Sequence, residues 1–216
     1  NPSIMDLAKD SNAGSPIIVT QLTDPDSEHW FGTSRAGHDI YARIIYGTRT
    51  SLMVGLIAST IAVGLGIVIG GATGYYLGWL DLLVQRLIDT LQALPSLVLL
   101  LLIGQTFDAS LRNVIMTMGV IGLPITSRLI RSAVLAIRAS TFVEAATALG
   151  ASDARVMFRH VLPNIGSVVI ISFTIGIGAY ILFEATLSFL GVGPSGVISW
   201  GRMVNEGRAS IDIHPW

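Results

Sequence analysis

Ser51–Leu80 reads SLMVGLIASTIAVGLGIVIGGATGYYLGWL, thirty residues without an Asp, Glu, Lys or Arg. A helix needs about 20 apolar residues to cross the hydrocarbon core of a bilayer, so this stretch is long enough for a span. Outward from it, Thr90–Phe107 is also uncharged, and a helix begun near Leu83, with Arg86 and Asp89 at the interface, supplies a second span. Fifteen uncharged residues separate Arg112 from Arg128, and continuing to Ile137 gives a third. Ile165–Leu190, interrupted only by Glu184, gives a fourth. The expected fold is all-α, a polytopic membrane helix bundle with four spans in this chain. Residues 1–50 form an outer segment, 51–192 the membrane domain, and 193–216 a second outer segment.

Composition agrees with that reading. The chain of 216 residues is 51% hydrophobic and only 12% charged, with a mean hydropathy of +0.67, against roughly a quarter charged in soluble domains. These figures point away from a water-soluble enzyme domain. A net charge of −1 offers no field for nucleic acid. The absence of cysteine removes disulfides, thiolate metal sites and cysteine nucleophiles. His29, His38, His160 and His214 are scattered at no metal-ligand spacing, so no metal site is expected.

Four spans place both termini on one side, and the loops decide which. Arg128–Arg159 carries five Arg against Glu144 and Asp153, whereas residues 1–50 hold six acids against four bases. The loop after the third span is therefore cytoplasmic and the termini lie outside. Asn1 is not an initiator Met, and Pro215-Trp216 ends the chain on an aromatic that suits a membrane boundary. Further helices are expected beyond both ends.

Gly66, Gly70, Gly74 and Gly78 recur every fourth residue, which stacks them on one helical face for close packing against another backbone. Tyr75, Tyr76 and Trp79 mark the cytoplasmic interface at the same end. Ahead of the span, Asp39–Tyr46 reads as a short surface helix with an i,i+4 ion pair between Asp39 and Arg43. Glu184 within the fourth span either lines a pathway or anchors helices through hydrogen bonds. Arg128, Arg131 and Arg138 are placed to meet lipid headgroups or a partner protein.

The cytoplasmic loop Ser140–Asn164, STFVEAATALGASDARVMFRHVLPN, is not a flexible connector. Phe142–Leu149 favours helix, Gly150 can end it in the left-handed conformation, and Ser152 can cap a second helix over Asp153–Val161, which Pro163 should break. The result is a rigid helical hairpin over 140–164, with small Ala145, Ala146 and Ala148 offering a packing surface.

Glu144-Ala145-Ala146, Gly150 and Leu162-Pro163 resemble the cytoplasmic loop of the membrane permeases of bacterial ABC importers, with His160 in place of a usual apolar residue. Gly32-Thr33 with Gly37-His38-Asp39, Tyr46–Leu52, Leu187–Gly191 and Ser199-Trp200-Gly201 narrow the likeness to the dipeptide, oligopeptide and nickel branch, C-type subunit. Ser34 and His38 depart from that branch's outer motif. The resemblance implies six spans in a full protein of the bacterial inner membrane and a second permease subunit beside it. It also implies cytoplasmic ATPases holding ATP and Mg, and an extracytoplasmic binding protein that delivers substrate. It gives Glu144, Ala145, Ala146, Gly150, Leu162 and Pro163 the role of ATPase coupling. Independently, the chain has no GxxxxGK[ST], and its only lysine is Lys9, so it binds no ATP by a P-loop. No GxSxG and no catalytic residue is found, which disfavours an intramembrane enzyme. A peptide permease leads; a permease for nickel or another small solute, and a stand-alone channel or secondary transporter, are the alternatives.

Overall fold

The computed structural model describes residues 22–106, 110–194, 196–208 and 210–211. The segment before Leu22 and the Pro215-Trp216 pair lie outside the described residues. The helices are α1 (Ile40–Tyr76), α2 (Gly78–Gln92), α3 (Ser96–Thr106), α4 (Leu111–Arg138), α5 (Thr141–Ala148), α6 (Asp153–Val156), α7 (Gly166–Phe189) and α8 (Trp200–Arg208). By packing the described residues divide into one unit of residues 22–53 with those from Glu184, termed the outer unit because it holds the two segments expected outside, and a second unit, Val54–Phe183.

Among the described residues three helical runs are long and apolar enough to cross a membrane: Ile40–Tyr76, Leu111–Arg138 and Asp153–Phe189. Within the second unit their register fixes the topology. Gly66 lies against Thr126, Gly70 against Ser127, and Gly74 against Arg131 and Val134. Both numbers rise together, so α1 and α4 run parallel. Gly55 meets Ile177 and Ile181, and the Ser59 hydroxyl donates to the Phe173 carbonyl at 2.8 Å, so α7 runs antiparallel to both. Parallel neighbours joined by a short connection need a return crossing, which falls to α2 and α3.

That return is not the straight helix expected over Leu83–Phe107. It is a pair bent by 76°. The bend sits at Ala93–Pro95, because proline lacks the N–H that would continue the ladder and restricts the residue before it. Helix α2 is inverted relative to a soluble amphipathic helix. Asp81, Gln85 and Asp89 recur every fourth residue, while Leu82, Leu83 and Leu87 on the other side are more than half exposed. Such an apolar outer face suits lipid.

The first helix differs from expectation at both ends. Asp39–Tyr46 is not a separate surface helix; from Ile40 it forms the opening turns of the 37-residue α1. At about 1.5 Å per residue, α1 exceeds the roughly 30 Å hydrocarbon thickness and projects beyond it. Asp39 is its N-cap: Oδ1 accepts from the Ala42 N–H at 3.2 Å and Oδ2 pairs with His29 Nδ1 at 3.0 Å. Its carboxylate is thus engaged before Arg43 can reach it, and Arg43 pairs with Glu206 at 2.6 Å instead. At the other end α1 stops at Tyr76 rather than Leu80, where Leu77 and Gly78 both take positive φ (57° and 70°).

Candidate functional site

The hairpin is built from α5 and the run that starts at α6. A Schellman motif closes α5: the Gly150 N–H donates to the Thr147 carbonyl at 2.9 Å and the Ala151 N–H to the Ala146 carbonyl at 3.1 Å. Gly150 takes φ +82°, a conformation that glycine adopts at little cost. Ser152 has the extended backbone of an N-cap but makes no side-chain cap bond.

Pro163 does not break the chain before the last span, contrary to expectation. Its missing N–H and the bulk of its ring are absorbed by a π-helical turn, Met157–Val161, followed by a 3-10 turn, Leu162–Ile165, so that helix continues from Asp153 to Phe189. The second arm of the hairpin and the last span are therefore one mechanical piece.

An apolar cluster ties the hairpin to the helices beneath it. Val143 of α5 and Val156, Met157, Val161 and Ile165 of the second arm bury against Tyr75 of α1 and Ile130 and Val134 of α4. The Tyr75 hydroxyl donates to Asp153 Oδ1 at 3.1 Å, and the Arg138 guanidinium stands 5.5 Å from the centre of the Tyr75 ring. Three helices thus converge on Tyr75. Beside it a cleft of about 540 Å³ is lined by Tyr76, Glu144, Thr147 and Ala148 among others. The residues assigned to coupling divide by environment. Glu144, Ala145, Gly150 and Pro163 are exposed, while Ala146 and Leu162 are half-buried and Leu162 packs against the cluster. At the tip Leu149 is 89% exposed.

Gly66, Gly70 and Gly74 lie where α1 meets α4. A Cβ on Gly66 would stand 3.0 Å from Thr126 Cβ, one on Gly74 would stand 2.8 Å from the Arg131 carbonyl, and one on Gly70 would collide with the Ser127 carbonyl. Gly78 does not share this face. It lies past the end of α1 with no atom near its Cβ position, and it serves the left-handed turn into α2.

Arg128 and Arg131 each pair with a carboxylate of α2. Arg131 grips Asp81 with two hydrogen bonds, 2.7 and 2.6 Å, and Arg128 meets Asp89 at 2.6 Å. Sequence reading missed these pairs, although the spacing of Asp81 and Asp89 on one face of α2 was a usable signal.

In the outer unit Glu184 is fully buried. Its Oε1 accepts from the Ser188 hydroxyl at 2.7 Å, Ser188 Oγ accepts from Ser199 at 3.4 Å, and Ser199 Oγ accepts from the Arg202 N–H at 3.3 Å. This relay links α7 to the start of α8. Trp200 Nε1 donates to the Ile44 carbonyl at 3.2 Å, and Gly201 lies directly on Ala185. Among the described residues no group of three His, Cys, Asp or Glu could hold a metal.

The sequence is similar to those of known transport permeases. The dipeptide transport system permease protein DppC of Alkalihalophilus pseudofirmus is 40% identical over 197 residues, 91% of this chain and 65% of that protein. Glutathione transport system permease proteins GsiD are similar over 192 residues, 88% of this chain. That of Pectobacterium atrosepticum is 35% identical with 64% of its length covered, and that of Escherichia coli O157:H7 is 38% identical with 63% covered. The chain thus spans somewhat under two thirds of the length of these curated relatives. Residues 62–212 match the family described as binding-protein-dependent transport system inner membrane component, and the chain, a multi-pass membrane helix bundle, belongs to that family.

Proposed function

We propose that this chain is a non-catalytic permease subunit of an ATP-driven importer of short peptides, set in the bacterial inner membrane. In this reading it forms half of the translocation pathway with a second permease. ATP and Mg are held by cytoplasmic ATPase subunits, and an extracytoplasmic binding protein brings substrate. Relatives named for dipeptide and glutathione transport support the substrate class.

The observation that carries the reading is the hairpin. Its exposed face, Glu144, Ala145 and the Leu149-Gly150 tip, is presented on arms locked to α1, α4 and α7 through one apolar cluster. A partner that moves the tip therefore moves the helices with it, a rigid-body form of alternating access. A stand-alone channel or secondary transporter has no use for such an element. Glu184 acts as an interhelical anchor, supported by its complete burial and its relay to Ser199. The test is purification of the full-length protein with peptide uptake measured in proteoliposomes. Copurification with an ATPase, and uptake that requires ATP, are expected. Conduction by the chain alone would refute the reading.

A further inference from the structure

The outer unit contains a cavity of about 910 Å³, within the range of roughly 300–1,000 Å³ typical of small-molecule sites. Its wall carries the guanidinium groups of Arg35, Arg43, Arg202 and Arg208 against a single carboxylate among the described residues, Glu206. That carboxylate is already shared, by Arg43 at 2.6 Å and Arg202 at 3.0 Å. The Arg43 side chain is only 8% exposed, and its Nε is buried with no hydrogen-bond partner among the described residues. His38 Nδ1, on the same wall, is also buried without one. Arg208 stands 5.5 Å from the centre of the Phe189 ring, a cation–π contact that leaves the edge N–H groups of the guanidinium open to a ligand. The cavity wall carries an excess of positive charge, with buried unpartnered nitrogens on Arg43 and His38, and is otherwise mainly apolar. Guanidinium groups favour planar oxyanions, and an apolar wall favours an anion that carries an apolar body over a bare inorganic one.

We propose that this cavity binds the free carboxylate of a short peptide, with Arg43 and Arg208 meeting the carboxylate and the apolar wall meeting the adjoining side chain. Calling the ligand a transported peptide rests on the importer reading; recognition of the carboxylate does not. The test uses the full-length permease assembly in nanodiscs without binding protein, titrated with glycyl-leucine, with its C-terminal amide, and with inorganic phosphate. Saturable binding of the acid is expected, weakened about tenfold or more by amidation and by Arg208→Gln, with Arg208→Lys in between, as for loss of a charge-assisted contact. Arg208 makes no other polar contact among the described residues, so its variant keeps the fold where Arg43→Gln would disturb the pair with Glu206. Equal binding of acid and amide, phosphate binding as tight as the dipeptide, or no binding at all would overturn the site. Acid-selective binding with no peptide uptake by the intact assembly would refute the importer reading and leave the site standing.

Discussion

At Gly150 the backbone takes φ +82°, and no atom lies within 4 Å of where a Cβ would stand. Gly150→Ala therefore strains the turn by about 1 kcal/mol without any clash inside the chain. Hydrogen exchange should show the hairpin slightly loosened and the protein still in the membrane. Gly150→Asn, whose side chain tolerates the left-handed turn, adds bulk only toward the outside, so a fall in ATP-driven uptake well beyond that of Gly150→Ala measures contact with a partner. Glu144 is exposed on the same face, and Glu144→Lys should likewise abolish uptake while membrane levels stay unchanged. On the outer side, desolvation raises the pKa of the Glu206 carboxyl, but the hydrogen bond and charge of Arg43, then those of Arg202, outweigh it and hold it below the usual Glu range. The folded state thus binds this proton less readily than the unfolded chain. The stabilisation is complete above the ordinary Glu value and is lost as pH falls through the lowered one. Exchange protection of α8 should fall on acidification over that window and lose this dependence in Glu206→Gln.

Among the elements, α2 buries Ile88 and is tied to α4 by ion pairs. The bidentate contact of Arg131 with Asp81 is the stronger, since both groups are largely shielded. Asp81→Asn and Arg131→Gln should each lower the thermal stability of the detergent-solubilised protein, and the double variant should recover a coupling of about 1 kcal/mol. Additive effects would show that the pair does not staple α2 to α4. Long elements were legible in the sequence because the membrane imposes a length and an absence of charge, and the Gly150 turn because a left-handed position selects glycine. Pairings across elements were not legible. Asp39 and Arg43 have helical spacing, yet a capping bond and His29 take the carboxylate, and Arg43 finds Glu206 far along the chain. The two prolines show the same limit. Pro95 bends its span, whereas Pro163 is absorbed by a π-helical turn upstream, a choice made by the packing of Val156, Val161 and Ile165 rather than by local propensity. At the candidate site the exposed face could be read from the motif, while its attachment through Tyr75 could not, since Tyr75 lies 78 residues from Asp153.

At the scale of the molecule, the hairpin belongs to the second unit, where α1 and α4 run parallel, α7 runs antiparallel, and the hairpin packs at the Tyr75 end of α1. Its second arm passes directly into α7, while α5 joins α4 through the Ala139–Ser140 turn and is held to it by the apolar cluster. These 216 residues contain no cysteine, so a Leu149→Cys substitution at the exposed tip, set in a cysteine-free background of the full-length protein, gives a single handle. In inner-membrane vesicles of known orientation, this thiol should label only from the cytoplasmic side. With a short bifunctional reagent it should crosslink to a nucleotide-hydrolysing subunit, with a yield that changes on addition of ATP. Labelling from the outer side, or a fully assembled transporter in which the thiol reaches no ATPase, would contradict the account.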